Sequence, residues 1–82
     1  MPFLTYTVVY ERDEESGDIV ATFPAIDLAT QGRTLEEARA MAHEALQLHL
    51  EGMMEDGDPL PPDVIDLERI SVEVPERKAA AP

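Results

Sequence analysis

Carboxylates are the chemically capable side chains that this sequence has in quantity. Of its 82 residues, 18 are Asp or Glu and 6 are Lys or Arg, which gives a formal net charge of −12. Carboxylates serve as metal ligands, as general acids and bases, or as a charged surface. Because the sequence has no Cys, thiol nucleophiles, disulfides and thiolate metal clusters are excluded.

Several carboxylates surround one polar stretch, ERDEESGD at residues 11–18. A calcium loop of the EF-hand type needs ligands at alternate positions and a distal Glu, and the order found here does not reproduce that spacing. The pattern therefore favours a solvated turn, and we predict neither a metal site nor a cofactor. The acidic residues of the turn are Glu11, Asp13, Glu14, Glu15 and Asp18.

The spacing of the remaining polar residues does not predict catalysis. Two-metal hydrolysis needs several carboxylates that converge on ions about 4 Å apart. Asp27 and Glu37 could approach each other at a strand-to-helix junction, but Glu37 already has a role in capping the helix. His49 falls on an apolar helical stripe, which favours a core or interface imidazole. Since Ser16 and Ser71 have no His nearby in the sequence, we expect a binding protein and not an enzyme.

One predicted helix, from Thr34 to Gly57, organises the other elements. Thr34 and Glu37 form a capping box, in which the Thr hydroxyl accepts from the N3 amide and the Glu carboxylate reaches back to the amide of Thr34. Gly57 closes the helix in the left-handed conformation. At 100° per residue an apolar stripe runs along one face and needs a sheet or another helix to cover it. Its members are Leu35, Ala38, Ala42, Ala45, Leu46, His49 and Met53, with Leu50 at the margin.

Strands are predicted on both sides of this helix. Residues 3–10, 19–23 and 25–31 precede it, and residues 69–74 follow it with alternating apolar side chains. The order β-β-β-α-β predicts an α+β, two-layer sandwich, with an antiparallel β-sheet and one long helix on one face. We predict one domain over residues 1–75 and a disordered tail over residues 76–82.

A Pro-rich connector, DGDPLPPD at residues 56–63, follows the helix. Three prolines in four residues make it stiff, so that little conformational entropy remains to be lost when it is ordered. This suits a segment laid across a partner, and it suits a rigid return loop equally well. We expect Val64, Ile65 and Leu67 to anchor the connector.

The charge distribution bears on partners and location. No basic stripe is present, so direct nucleic acid binding is not expected. Acidity can attract a basic partner, or it can simply keep a small protein soluble. No apolar run is long enough to span a membrane and the N-terminus lacks the features of a secretory signal, so a cytoplasmic protein is expected.

The order and spacing of these pieces resemble the HicB-like antitoxin family over about residues 4–74. TYTVVYERDEESGDIVATFP resembles the opening hairpin of the family, which ends in an aromatic-Pro pair, here Phe23 and Pro24. The stretch TQGRTLEEARAMAHEALQLHLEGMMEDGDPLP is similar to its most characteristic segment. Two features differ from the family pattern: AIDLA at residues 25–29 stands where Pro-Gly-Cys is common, and no C-terminal DNA-binding domain follows.

The resemblance implies a partly degraded ribonuclease-H-like domain that neutralises a small basic, HicA-like toxin that cleaves messenger RNA. We therefore expect an antitoxin that occludes such a toxin, without binding the operator itself. Candidate contacts are the acidic turn and the connector. The connector candidates are Asp56, Asp58, Leu60, Asp63 and Asp66.

Two alternatives remain open. The chain can be an orphan HicB-like module with an oligomeric binding or regulatory role and no toxin, or it can be a residual nuclease. Independently of these, small size predicts a homodimer or higher homo-oligomer, because a chain this short buries only about 60% of its unfolded surface. Apolar side chains on the second sheet face, together with Met41 and Leu48, are candidates for that contact.

Overall fold

The computed structural model describes residues 3–76. Three strands and a helix follow one another: β1 (Val9–Arg12), β2 (Ile19–Phe23), β3 (Leu28–Gly32) and α1 (Leu35–Asp56). The strands form one antiparallel sheet in the order β1-β2-β3, and α1 packs on it. The predicted α+β arrangement of an antiparallel sheet and one long helix is confirmed.

The β1-β2 hairpin closes through the acidic turn. Val9 is paired with Thr22 and Arg12 with Ile19. The amide of Asp13 donates to the carbonyl of Asp18 at 2.8 Å, and Gly17, with φ of 80°, turns the chain back. Left-handed backbone of this kind is open to Gly at no steric cost, which explains a Gly near the end of the turn.

The third strand begins later than predicted. Residues 24–27 form a turn, in which the amide of Ile26 donates to the carbonyl of Phe23 at 3.2 Å. Pro24 cannot donate a ladder hydrogen bond, so the chain leaves the sheet there and re-enters it at Leu28. The register of β3 is thereby fixed, with Phe23 opposite Leu28 and Ile19 opposite Gly32.

Both predicted caps of α1 are present. The amide of Glu37 donates to Thr34 Oγ1 at 3.1 Å, as expected of a capping box. The Glu37 carboxylate, however, accepts from the amide of Arg33 at 2.6 Å and not from that of Thr34. At the other end Gly57 has φ of 75°, and the helix is continuous through Gly52 to Asp56.

The core lies between the centre of the sheet and the first half of α1. Ala21, Phe23, Ile26 and Ala42 form its buried cluster, with Tyr6, Val8 and Tyr10 packed against it. The helical stripe is only partly buried: Ala38, Ala42 and Leu50 are inside, whereas Leu35 is 41% exposed. Leu50 therefore belongs to the core and not to its margin.

The predicted strand at residues 69–74 is wrong for the chain by itself. These residues have no regular secondary structure, and the side chains of Ile70, Val72 and Val74 are exposed. An alternating pattern makes a strand only where a neighbouring strand accepts its hydrogen bonds, and none does so here. Ile65 and Leu67 are exposed as well, so they do not anchor the connector.

The first strand is shorter than its sequence pattern. It begins at Val9 and not at Phe3, and the main-chain amide of Thr7 donates to the Asp63 carboxylate and not to a neighbouring strand. The radius of gyration is 17.2 Å, against about 12 Å expected for a compact domain of this length. Of the predicted tail, only Glu76 lies among the described residues.

Gly32 is the position where the sandwich tolerates least change. A Cβ there would lie 2.6 Å from the amide nitrogen of Ala38, in the first turn of α1, whereas a Cβ at Gly52 would meet nothing within 4 Å. We expect Gly32→Ala to lower the free energy of unfolding by about 1–3 kcal/mol, because the helix must shift away from β3. Gly52→Ala, the matched control, should raise it by about 0.5–1 kcal/mol. Urea unfolding of the two variants measures both, and equal stabilities would contradict the close contact.

Candidate partner-binding surface

The acidic turn and the connector lie at opposite ends of the sheet. The turn joins β1 to β2 beside Gly32, where β3 leads into α1. The connector leaves the far end of α1 and crosses beside Tyr6 and Thr7, ahead of β1. The structure therefore does not bring the ten candidate contacts into one patch, but forms two acidic ends.

At the turn, part of the charge has a structural use. Asp13 Oδ2 accepts from the amide and the hydroxyl of Ser16, at 3.0 and 2.8 Å. The Ser16 amide bond, followed by the hydroxyl bond, lowers the pKa of Asp13 below its usual value, and burial opposes this only slightly. Asp18 Oδ2 accepts from Gln31 Nε2 at 3.2 Å. Glu11, Glu14 and Glu15 are exposed and present the charge that a partner can meet.

At the connector, Asp63 holds the chain in place. Its Oδ2 accepts from the amide of Thr7 at 2.9 Å and from the Thr7 hydroxyl at 2.7 Å. The Thr7 amide bond, then the hydroxyl bond, lowers the pKa of Asp63, whereas burial acts in the opposite direction. Tyr6 reinforces the contact by donating its hydroxyl to the carbonyl of Pro61. Asp63 is thus positioned to fix the connector and has only Oδ1, which is buried without a hydrogen-bond partner, left over.

The other connector candidates differ in how far they are free to contact a partner. Asp56 and Asp58 flank the C-cap glycine and are exposed. Leu60 is half-buried, and Asp66 Oδ1 accepts from the amide of Leu67 at 2.7 Å. The exposed carboxylates among the connector candidates are therefore Asp56, Asp58 and Asp66, and Glu55 in the last turn of α1 is exposed as well.

Sequence reasoning missed Tyr6 and Thr7 as the residues that hold the connector. The residue types gave an indication, because Thr and Tyr side chains can donate hydrogen bonds and the Asp that follows the prolines can accept them. Nothing local links residues that lie 56 positions apart, so only the tertiary structure pairs Thr7 with Asp63.

The carboxylates do not converge on a site for metal-assisted chemistry. Within residues 3–76, no group of three or more His, Cys, Asp or Glu side chains is placed to hold a metal ion. Asp27 lies in the turn before β3 and Glu37 in the helix after it, so the five residues of β3 separate them by about 16 Å. The suggestion that these two carboxylates meet is wrong.

Among the described helices, none is long and apolar enough to cross a membrane.

Comparison with known proteins assigns the chain to a family. A family described as the HicB_like antitoxin of bacterial toxin-antitoxin systems matches residues 6–80, nearly the whole sequence. The match includes the hairpin, the helix and the connector. No curated protein and no solved structure matches.

The bonds between Asp63 and Thr7 should make the docking of the connector pH-dependent. A carboxylate whose pKa is lowered by folding stabilises the folded state above its usual pKa of 3.8, and this contribution disappears as the pH falls through the lowered pKa. We expect Thr7→Val to raise the pKa of Asp63 and to flatten the loss of stability between about pH 5 and pH 2.

Carboxyl chemical shifts followed by NMR titration, with urea unfolding at matched pH, test this expectation. Thr5→Val is the control, since it makes the same change at a neighbouring Thr whose side chain is exposed. The turn carboxylate of Asp13 should titrate alike in all three proteins. Because the variant keeps the main-chain amide of residue 7, an Asp63 titration that is the same as in the wild type would contradict the hydroxyl bond.

Proposed function

Because the chain belongs to the HicB-like antitoxin family of bacterial toxin-antitoxin systems, we propose that it binds and occludes a small basic toxin that cleaves messenger RNA. The observation that carries this proposal is the family match over residues 6–80. Antitoxins of this family are generally not enzymes, and a toxin partner is implied in general. The more specific part of the proposal is that this toxin is HicA-like.

The charge of the chain supports a basic partner. With a formal net charge of −12, the chain attracts a cationic protein over distances of about the Debye length, roughly 8 Å at physiological ionic strength. A toxin that acts on RNA must itself carry positive charge to bind the phosphate backbone. The antitoxin needs only to compete for that charge and to cover the surface, so inhibition requires no catalytic group.

The C-terminal end of α1 supports a contact at Asp56 and Asp58. A helix C-terminus carries partial negative charge, so cations are stabilising there and anions are not. This helix has no basic residue in its last turn, and Asp56 ends it. The free chain therefore bears a local electrostatic penalty that a Lys or Arg of the toxin would relieve.

The connector also supports a toxin contact near the C-terminal end of α1. Pro59, Pro61 and Pro62 restrict its backbone, and Asp63 and Tyr6 hold it against the sheet. A segment that is ordered before binding loses little entropy when a partner covers it. The connector therefore offers a preformed, negatively charged surface next to the end of α1.

Two further properties belong to the proposal. The chain is proposed to act in the cytoplasm, where messenger RNA is the substrate of the toxin. It is also proposed to form a homodimer or higher homo-oligomer, because exposed apolar side chains are numerous for so short a chain. Those with the greatest exposure among the described residues are Phe3, Ile65, Ile70, Val72 and Val74.

Isolation of the chain from its native host tests the proposal directly. We expect a short basic polypeptide to remain attached, to be identified by mass spectrometry, and to cleave RNA only when freed from the chain. Its association rate should fall at least tenfold between about 50 and 500 mM salt, because electrostatic steering is screened. Recovery of the chain alone, with no basic protein encoded beside it, would favour the orphan alternative. RNA cleavage by the purified chain with added magnesium would favour the residual nuclease.

Removal of two negative charges at the C-terminal end of α1 should change the stability of the chain and its affinity for the toxin in opposite directions. The double variant Asp56→Asn with Asp58→Asn should raise the stability of the free chain by up to about 1 kcal/mol, because it removes negative charge from the negative end of the dipole. The same variant should bind the toxin at least tenfold more weakly, which corresponds to about 1.4 kcal/mol.

The control for this pair is Glu44→Gln, which also removes negative charge from an exposed position but lies in the middle of α1. It should leave both the stability and the affinity near the values of the wild type. Unfolding curves and titration calorimetry measure the two quantities. Unchanged affinity in the double variant would place the toxin elsewhere on the surface.

A further inference from the structure

The C-terminal arm, residues 67–76, has the side-chain pattern of a strand and no partner strand. Ile70, Val72 and Val74 alternate with the polar Ser71 and Glu73, and their exposed fractions are 74, 72 and 69%. Apolar side chains at alternate positions project on the same face of an extended chain. The arm therefore presents a continuous apolar face that nothing in the described chain covers.

The sheet has a free edge beside this arm. Within residues 3–76, β1 is hydrogen-bonded to β2 alone, so the outer main-chain groups of Val9–Arg12 face away from the sheet. A groove of about 790 Å³ separates β1 from residues 67–69 of the arm. Its apolar lining comes from Val8, Val9, Tyr10, Ile19, Leu35 and Leu67. An exposed edge with an apolar groove beside it is where an additional strand is accommodated.

The arm of the same chain borders this groove without filling it. Asp63 is fixed to Thr7 ahead of β1, and from there the chain runs along the sheet to residues 67–69. Those residues form the outer wall of the groove. Beyond Arg69 the apolar side chains are exposed, so they do not fold back onto β1.

The charge of the groove identifies its occupant. Arg12, Arg39 and Arg69 line it against only Glu11 and Glu68, although the chain as a whole has a net charge of −12. With one positive charge in excess, the groove is less suited to a basic toxin than the acidic surfaces of the chain are. The described part of the arm carries Glu68, Glu73 and Glu76 against Arg69, so the arm of a second copy is complementary to the groove in charge as well as in pattern.

We propose that two copies of the chain exchange their arms, each arm adding as an extra strand along β1 of the other copy. The contact is isologous, since each copy gives an arm and receives one, and it closes at two subunits. Arm and groove together involve roughly 18 residues of each copy, near the lower end of the 20–30 residues a side of stable interfaces. This interface deepens the proposed self-association and does not depend on the toxin.

Two matched variants test the exchange. Val72→Glu and Leu48→Glu each place one negative charge at an exposed apolar position, with exposed fractions of 72% in the arm and 63% on α1. Sedimentation equilibrium should show a dimer for the wild type and for Leu48→Glu. Val72→Glu should raise the dissociation constant of the dimer at least tenfold. Far-ultraviolet circular dichroism should be the same in all three, because both side chains are on the surface.

Hydrogen exchange measured at two concentrations locates the added strand. The outer amides of β1 should become protected as the wild-type protein dimerises and should lose this protection in Val72→Glu. The outer amides of β3, at the other edge of the sheet, should not respond.

The remaining outcomes overturn the inference in distinguishable ways. Dissociation by Leu48→Glu but not by Val72→Glu would leave self-association standing and place it on α1. Protection of β1 that is independent of concentration would mean that each arm covers its own sheet. A wild-type protein that stays monomeric at micromolar concentration would refute both self-association and arm exchange, while leaving toxin binding intact. Loss of toxin capture by Val72→Glu in a protein that remains dimeric would assign the arm to the toxin.

Discussion

The close packing of α1 on β3 determines where every other part of this protein lies. Gly32 ends β3 directly beneath the first helical turn, where the backbone of Ala38 leaves no room for a Cβ. Ala38 and Ala42 continue the contact with small side chains, and Ala21 on the sheet is fully buried opposite them. Because the helix is held this close at its start, its 22 residues run back along the sheet over about 33 Å. The connector must therefore begin at the end of the sandwich that is remote from the hairpin turn.

This geometry divides the negative charge into two functional kinds. Carboxylates that accept hydrogen bonds from the backbone, such as Asp13 and Asp63, order the chain, and their lowered pKa values follow from those bonds. Carboxylates that remain exposed, such as Glu14, Asp56 and Asp58, contribute to the field outside the protein. Net charge alone does not distinguish the two kinds. Because Asp63 accepts hydrogen bonds from Thr7, this candidate contact holds the connector in place. Asp56 and Asp58 remain exposed and can contact a partner.

The parts of the fold that the sequence predicted are those specified by local interactions. The cap at Thr34, the closing Gly57 and the apolar stripe between them act within a few residues, so α1 was predicted nearly to its ends. β2 was predicted for a similar reason, since IVATF lies between Gly17-Asp18 and Pro24. β1 and the strand expected at residues 69–74 depend on what lies beside them. Residues 6 and 7 are held by the connector, and the side chains of Ile70, Val72 and Val74 are exposed. The local sequence pattern predicts neither of these features.

The arm has the sequence pattern of a strand but is not a strand in the isolated chain, and this difference has a physical reason. A sequence that alternates apolar and polar residues gains free energy as a strand only when its apolar face is covered and its amides are paired. In a chain of 82 residues, a small core cannot supply that cover for every segment. The free edge of β1 offers main-chain partners and the apolar lining of the groove offers cover, but the tethered arm of the same chain only borders that groove. Completing the sheet with a second copy would satisfy the strand pattern and bury apolar surface. It would also leave the acidic end of α1 and the connector, which the exchange does not use, open to a different, basic partner.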